Sequence, residues 1–161
     1  MAAVIKQTYP AIKIAFVGPP VTTSPQHALN GCSAIDFICR REFDFSVVEY
    51  ANGRPLKEIL GISYKDSDGI IQHNPDRAQL TPEELDALPW ATEIYHRDLD
   101  ITRYNLPFLL HPFVSLFSTR GCPAQCTFCL WPQTLSGHAW RKRTTDDVAA
   151  EMANAKNCFL R

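Results

Sequence analysis

Between Ile12 and Leu60 the sequence alternates short apolar runs of strand length with segments of helical spacing, and this alternation restricts the fold more than any other feature. The run IKIAFV, Ile12 to Val17, predicts a buried strand stopped by Gly18, Pro19 and Pro20. SPQHALNG then predicts a short helix with Ser24 as N-cap and Gly31 at its end. AIDFICR predicts a second strand. EFDFSVVEYANG predicts a helix with Phe43, Val47 and Tyr50 on one face and Gly53 just past its end. PLKEILG adds a helical turn starting on Pro55. Strand, helix, strand, helix is the pattern of a parallel α/β sheet.

After Leu60 the rhythm changes. Ile62–Tyr64 and Ile70–Gln72 flank KDSDG and predict a hairpin turning at Gly69. TPEELDALPW to DITRYNLPF is dense in proline and charge and predicts an irregular connector. Phe113 to Ser118 predicts a third strand, which runs directly into RGCPAQCTFCLWPQ. TTDDVAAEMANAKN predicts a helix with Thr144 and Asp147 at capping-box spacing and Asp146 and Asp147 at its positive start. Its expected apolar stripe is Val148, Met152 and Ala155. The expected organisation is a partial α/β domain over residues 1–60, a hairpin and linker over 61–110, and the start of a second domain over 111–161. Neither outer part closes a domain by itself, so the chain reads as a segment of a longer architecture.

Composition narrows the class. With 45% hydrophobic and 20% charged residues the chain is in the globular range. Its 16 basic and 17 acidic side chains leave a formal charge of -1, which offers no electrostatic footprint for nucleic acid. Lys6, Gln7 and Lys13 interrupt the first apolar run, so it does not read as a signal peptide. The stretch Leu106 to Phe117 is shorter than the roughly 20 residues that span a bilayer. The expected location is therefore cytoplasmic, with no transmembrane segment and with reduced thiols. Cys32, Cys39 and Cys158 are scattered and read as small buried hydrophobes.

The other three cysteines, Cys122, Cys126 and Cys129, form a C-x3-C-x2-C cluster with no fourth cysteine or histidine close behind. Four readings compete. Buried packing on one helix face is opposed by Gly121 and Pro123, which disfavour a helix through the cluster. Structural zinc needs four ligands, and only His138 or His111 is at hand for the fourth. A ferredoxin-type cluster needs four cysteines, and the spare ones are remote. A 4Fe–4S cluster on three thiolates leaves one iron open, and an open metal position is where a substrate or cofactor binds.

With the aromatic Phe128 just before its last cysteine and a predicted strand just ahead, the motif resembles the signature of the radical S-adenosylmethionine superfamily. That resemblance implies a 4Fe–4S cluster on Cys122, Cys126 and Cys129, at the end of the first strand of a partial (β/α) barrel. It further implies that the open iron chelates S-adenosylmethionine, that one electron cleaves the sulfonium bond, and that a 5′-deoxyadenosyl radical results. Phe128 would lie near the adenine, and a flavodoxin or ferredoxin would supply the electron. The cofactor carries the hard chemistry and the protein positions it.

The first part of the chain resembles the second half of the Rossmann-like cobalamin-binding domain that precedes many radical enzymes. There a Gly-Gly-Pro-His-like turn ends one strand and an Arg-Gly-Glu-Gly-Glu-like turn the next; here the turns run from Gly18 to Thr22 and from Arg40 to Asp44. Gly18 and Thr22 are the implied cobalamin contacts. The second glycine of the first turn and both glycines of the second are replaced, which leaves close backbone approach to a ligand less assured. The fold class so implied is α/β: the C-terminal half of a cobalamin-binding domain followed by the first β/α unit of a radical barrel. Through CLWPQTLSGH the chain resembles the hopanoid-biosynthesis-associated cobalamin-binding radical enzymes, which implies a bacterial hopanoid as substrate and ring contraction of its sugar to a cyclitol ether. A cobalamin-dependent radical methyltransferase is the enzymatic alternative, and a zinc-binding structural module the other. The 161 residues alone are expected to turn over nothing, because they lack the rest of a barrel that would exclude water.

Smaller features complete the reading. Arg141, Lys142 and Arg143 read as a solvated basic turn or as a grip on an anionic group. Trp131 and Trp140 line the site or cover the loop. His27, His73 and His96 show no sequence partner and receive no role.

Overall fold

The computed structural model describes residues 1–159. The elements are α1 (Ala2–Thr8), β1 (Ala15–Phe16), α2 (Pro19–Thr23), α3 (Pro25–Gly31), β2 (Phe37–Cys39), α4 (Asp44–Ala51), β3 (Ile62–Lys65), β4 (Ile71–His73), α5 (Pro82–Asp86), α6 (Ala91–Asp98), β5 (Thr119–Arg120), β6 (Arg141–Lys142) and α7 (Thr145–Phe159). Single 3-10 turns lie at Leu56–Glu58 and Ile101–Arg103, and a π-helix at Pro132–Ser136. They divide into two compact units, Met1–Gln79 with Gly121–Ala139, and Leu80–Arg120 with Trp140–Arg161.

The first unit is an α/β sandwich around a four-stranded sheet in the order β1-β2-β3-β4. β1 and β2 are parallel, with Ala15 opposite Phe37 and Phe16 opposite Ile38. β3 and β4 follow antiparallel, with Ile38 opposite Ser63 and Ser63 opposite His73. Alternation along β2 sends its residues to opposite faces. Ile38 packs with Val21, Leu29 and Ile35 on the face covered by α2 and α3. Phe37 and Cys39 pack with Ile59 and Ile62 on the other. Each such fully buried side chain contributes roughly 1.5–3 kcal/mol. Burial pushes the Cys39 thiol up to about 11, although the Arg77 charge pulls the other way. It is therefore an inert core residue, as its apolar run predicts; Cys32 and Cys158 are only half-buried.

The strand–helix alternation and the Gly69 hairpin are present, and Ser24 and Gly31 bound α3. The inward face of α4 differs from the expected stripe. Phe43 and Val47 are each 38% exposed, while Ser46 is fully buried. The helix is rotated because Ser46 Oγ donates to the Leu60 carbonyl at 2.9 Å and accepts from Arg77 Nε at 3.2 Å. Of the expected stripe only Tyr50 faces in, its ring 4.5 Å from that of Phe37. At the amino-terminal end of β2, Asp36 accepts from Ile14 N–H at 2.7 Å and pairs with Lys6 at 2.8 Å.

The second unit is helical with a small ribbon. The expected irregular connector contains α5, closed by a full capping box between Thr81 and Glu84, and α6. α6 packs against α7. The expected strand Phe113–Ser118 is not formed as such; regular pairing is confined to Thr119–Arg120 against Arg141–Lys142. Among the described residues the segment's backbone is hydrogen-bonded only at its end, where the Ser118 carbonyl accepts from Arg143 N–H at 3.0 Å and the Phe117 carbonyl from Arg143 Nη1 at 2.9 Å. On α7, Thr144 Oγ1 accepts from Asp147 N–H at 3.3 Å, but the Thr144 N–H donates to Asp86 at 2.8 Å, so only half of the predicted box forms. The Asp147 carboxylate instead accepts from Trp90 Nε1 at 2.9 Å and from Arg143 Nε at 2.7 Å. The expected stripe holds at Ala155, which is buried, and in part at Val148, which is half-buried, but Met152 is 58% exposed and Glu151 takes the inward place. Glu151 accepts from the Thr92 backbone and hydroxyl and pairs with Arg143 at 2.5 Å. The basic turn is thus not a solvated one at Arg141 and Arg143: Arg141 is 8% exposed and donates to the Leu80 carbonyl, and Arg143 is spent on α7. Among the described residues no helix is long and apolar enough to cross a membrane.

Two predictions follow from these ion pairs. Arg143→Ala leaves Glu151 buried without its charge partner, which costs about 3–5 kcal/mol in urea unfolding followed by circular dichroism. Arg143→Ala with Glu151→Gln removes the buried charge while keeping an oxygen for the Thr92 donors and recovers most of that loss; no recovery would contradict the pairing. Burial alone would raise the Asp36 carboxyl, but the Lys6 and Ile14 hydrogen bonds and the Lys6 and Lys13 charges hold it below its ordinary value. A depressed folded-state value gives stability that is complete above the unfolded value of about 4 and is lost as pH falls through the folded one. Asp36→Asn should therefore flatten the fall in stability below about pH 4; an unchanged slope would contradict it.

Candidate cofactor site

The cysteine loop is closed at its neck by two glycines. Gly121, at φ 85°, lies where any Cβ would overlap the Ala139 carbonyl, and Gly137, at φ 69°, lies equally close to the Gln79 amide. Cys122 N–H donates across the neck to the Gly137 carbonyl at 3.1 Å. Beyond the neck the backbone is irregular up to a β-turn in which Cys129 N–H donates to the Cys126 carbonyl at 3.1 Å. Such a turn keeps its first and fourth α-carbons within about 7 Å, so Cys126 and Cys129 occupy the two ends of one tight bend. The π-helix follows, with Pro132 and Thr134 buried and the Thr134 hydroxyl donating to the Leu130 carbonyl at 2.6 Å. π-helical turns recur at functional sites.

Cys122 and Cys126 are exposed, Cys129 is half-buried, and all three are free thiols. Among the described residues no group of three or more His, Cys, Asp or Glu stands close enough to hold a metal ion. The loop therefore presents three thiols on one short segment without gathering them. The donor set, three soft sulfur ligands without a fourth, fits an iron–sulfur cluster in kind. It fits structural zinc less well: His138 is exposed and outside any cluster, and His111 Nε2 lies 3.0 Å from the Thr102 carbonyl. Phe128 is 88% exposed on the cysteine turn, with Leu130 and Trp131 exposed just after it.

The second candidate region is the edge of the sheet where β1 and β2 end. Gly18, at φ 108°, opens α2, and its carbonyl accepts from Thr22 N–H at 3.0 Å. Thr22 Oγ1 accepts from the Arg41 N–H at 3.1 Å, so the two strand-end turns are tied together. Arg41 has φ 60°, and among the described residues it is the one non-glycine with positive φ. That conformation costs a side-chain-bearing residue about 1–2 kcal/mol. The second turn thus keeps a glycine-like backbone where the sequence has lost its glycine. The carboxyl ends of adjacent parallel strands are where open α/β sheets bind ligands. α2 also packs against the π-helix, so this edge and the cysteine loop belong to one unit.

The link from Arg40 through Ser63 to His73 escaped the sequence reading, which gave His73 no partner. Arg40, at the end of β2, donates to the Ile62 and Asn74 carbonyls, to Ser63 and to Asp76. Ser63 Oγ lies 2.8 Å from His73 Nδ1. An arginine directly after a buried strand was the available signal; its partners are set by the hairpin register. His96 makes an edge contact with Phe159, centroids 5.5 Å apart.

No model of a known protein family matches the chain. It is 28% identical over 157 residues to an uncharacterized methyltransferase of Pyrococcus horikoshii, covering 95% of this chain and 32% of that protein. It is also 28% identical over 137 residues to cytidylyl-2-hydroxyethylphosphonate methyltransferase of Streptomyces wedmorensis, covering 68% of this chain and 25% of that one. Among solved structures it is similar to the cobalamin-dependent S-adenosylmethionine radical enzyme OxsB, with a TM-score of 0.56 and 22% identity over 91% of this chain and 19% of that chain. It is also similar to the radical S-adenosylmethionine methyltransferase TsrM of Kitasatospora setae, with a TM-score of 0.59 and 15% identity over 98% and 30%. The chain thus spans about a third or less of the length of each of these proteins. What the two solved structures share with it across nearly its whole length is the mixed α/β fold.

Proposed function

We propose that the chain is part of a cobalamin-dependent radical S-adenosylmethionine methyltransferase. Residues 1–60 contribute to its cobalamin-binding domain, 61–110 are a hairpin, which extends the same sheet, and a linker, and 111–161 open its radical domain. The observation that supports this most is that the cysteine loop and the β1–β2 edge lie in one compact unit, with α2 against the π-helix. Both curated relatives carry methyltransferase names, which favours methyl transfer over ring contraction of a hopanoid sugar.

In this reading Cys122, Cys126 and Cys129 hold a 4Fe–4S cluster, and Gly18 and Thr22 meet cobalamin. Together these groups supply reductive activation of S-adenosylmethionine and a cobalt centre that carries a methyl group. The chain's own residues do the positioning. Gly121 and Gly137 close the neck, and the Cys126–Cys129 bend delivers two thiolates to one side of the loop. Phe128, Leu130 and Trp131 leave apolar surface exposed beside the cysteine turn, and Phe128 suits an adenine face. Gly18 permits close approach of backbone to ligand, and Thr22 fixes the neighbouring turn. The substrate is a small molecule, and a flavodoxin or ferredoxin is the proposed electron donor. Modification of a hopanoid remains the alternative and is distinguished by product mass: methyl transfer adds a CH2 unit and ring contraction does not.

Anaerobic reconstitution with iron and sulfide, read by absorbance and EPR of the reduced protein, tests the ligands. The wild-type chain should take up a 4Fe–4S cluster, and Cys122→Ala, Cys126→Ala and Cys129→Ala should each lose most of it. Gly121→Ala, which forces a Cβ into the Ala139 carbonyl, should reduce loading severalfold while the far-ultraviolet spectrum stays unchanged. Stoichiometric zinc in place of iron would leave the structural-module reading instead.

A further inference from the structure

The sheet edge carries a feature that the cofactor reading leaves unused. Between α3 and the end of β4 lies an open cavity of about 520 Å³, faced by Thr23, Ser24, Gln26, His27, Asn30 and His73. All are polar, and none of the lining residues is Asp, Glu, Lys or Arg. No carboxylate, ammonium or guanidinium faces the cavity, and a neutral ligand rich in amide groups would find donors and acceptors.

One of the donors is oriented. Ser63 is fully buried and receives a hydrogen bond from Arg40 Nη1 on its hydroxyl oxygen. A serine hydroxyl has one proton and two lone pairs; Arg40 fills one lone pair, and among the described residues the one acceptor in reach of the proton is His73 Nδ1, 2.8 Å away. His73 Nδ1 is then an acceptor and its proton sits on Nε2, which is left for the cavity. Arg40 is itself fixed by the Ile62 and Asn74 carbonyls and by Asp76, so the orientation descends from β2. The register sets this in place: Ser63 pairs with both Ile38 and His73, which puts the relay at the end of the sheet where β1 and β2 terminate.

We propose that His73, held as the Nε2–H tautomer by Ser63 and Arg40, is a specificity-determining donor to an amide carbonyl on the periphery of the corrin ring. This rests on the cobalamin reading of the same edge and names the group that orients the ligand there. The cavity takes an amide-bearing edge of the ligand, and Gln26 and Asn30 supply further neutral partners. No covalent step is involved.

The test uses the 161-residue chain, hydroxocobalamin as probe, and equilibrium dialysis read by absorbance. His73→Phe keeps the ring shape without the donor and should weaken binding about fivefold, the effect of one hydrogen bond. His73→Gln returns an N–H at the far end and should bind within about twofold of wild type. Nitrogen-15 spectra of the ligand-free protein should show the Nε2–H tautomer in wild type and its loss of dominance in Ser63→Ala. If wild type binds and His73→Phe binds equally well, this proposal is overturned and the cobalamin reading stands. Equal loss in Phe and Gln variants, or an Nδ1–H tautomer in wild type, also overturns it. If wild type binds no cobalamin, both fall together.

Discussion

Strand β2 is the constraint on which the first unit depends. Its three residues are buried on both faces, so helices must cover the sheet on each side, and the side chains that meet it are fixed by alternation. The residue that follows, Arg40, cannot continue the apolar run. Its guanidinium turns along the sheet end and clamps β3 and the segment after β4 by way of two carbonyls, Ser63 and Asp76. The turn after it is held in a left-handed conformation at Arg41 and tied to Thr22. The geometry of the ligand edge is therefore a consequence of how the central strand ends.

Much of this edge was legible in the residue pattern. The apolar runs around Ala15 and Phe37, the Gly18 stop, the Ser24–Gly31 helix and the Gly69 hairpin all rest on local signals, which act within a few residues. What the pattern missed rests on remote partners. Ser46 is the inward residue of α4 because Leu60 and Arg77 bond to it, which no periodicity reveals. Arg141 and Arg143 look solvated in a run of charge, yet Leu80, Asp147 and Glu151 take them inside. α5 was the exception: Thr81 and Glu84 show capping-box spacing in plain view, obscured by the density of proline and charge around them. The segment Phe113–Ser118 has strand composition, but among the described residues only its last two hydrogen-bond to a partner, Arg143, just past β6.

The candidate site divides in the same way. The spacing of Cys122, Cys126 and Cys129 points to soft-metal chemistry by residue type alone, and the loop adds a closed neck and a turn joining the last two. In the proposed reading, gathering the three sulfurs would be left to the cluster itself, since metal binding and local folding are coupled. At the sheet edge, by contrast, the hydrogen bonds are already made. Thr22 to Arg41 and Arg40 to Ser63 to His73 need no ligand to exist, so this edge is the preorganised part and the cysteine loop the adaptable one.

The central claim is that one compact unit brings both cofactors together. The most direct measurement is EPR of the chain loaded with iron, sulfide and cob(II)alamin, recorded with the cluster oxidised and then reduced. The account predicts that reducing the cluster broadens or splits the cobalt(II) signal, because two paramagnets held on the same unit interact. A cobalt(II) spectrum indifferent to the oxidation state of a fully loaded cluster would contradict it.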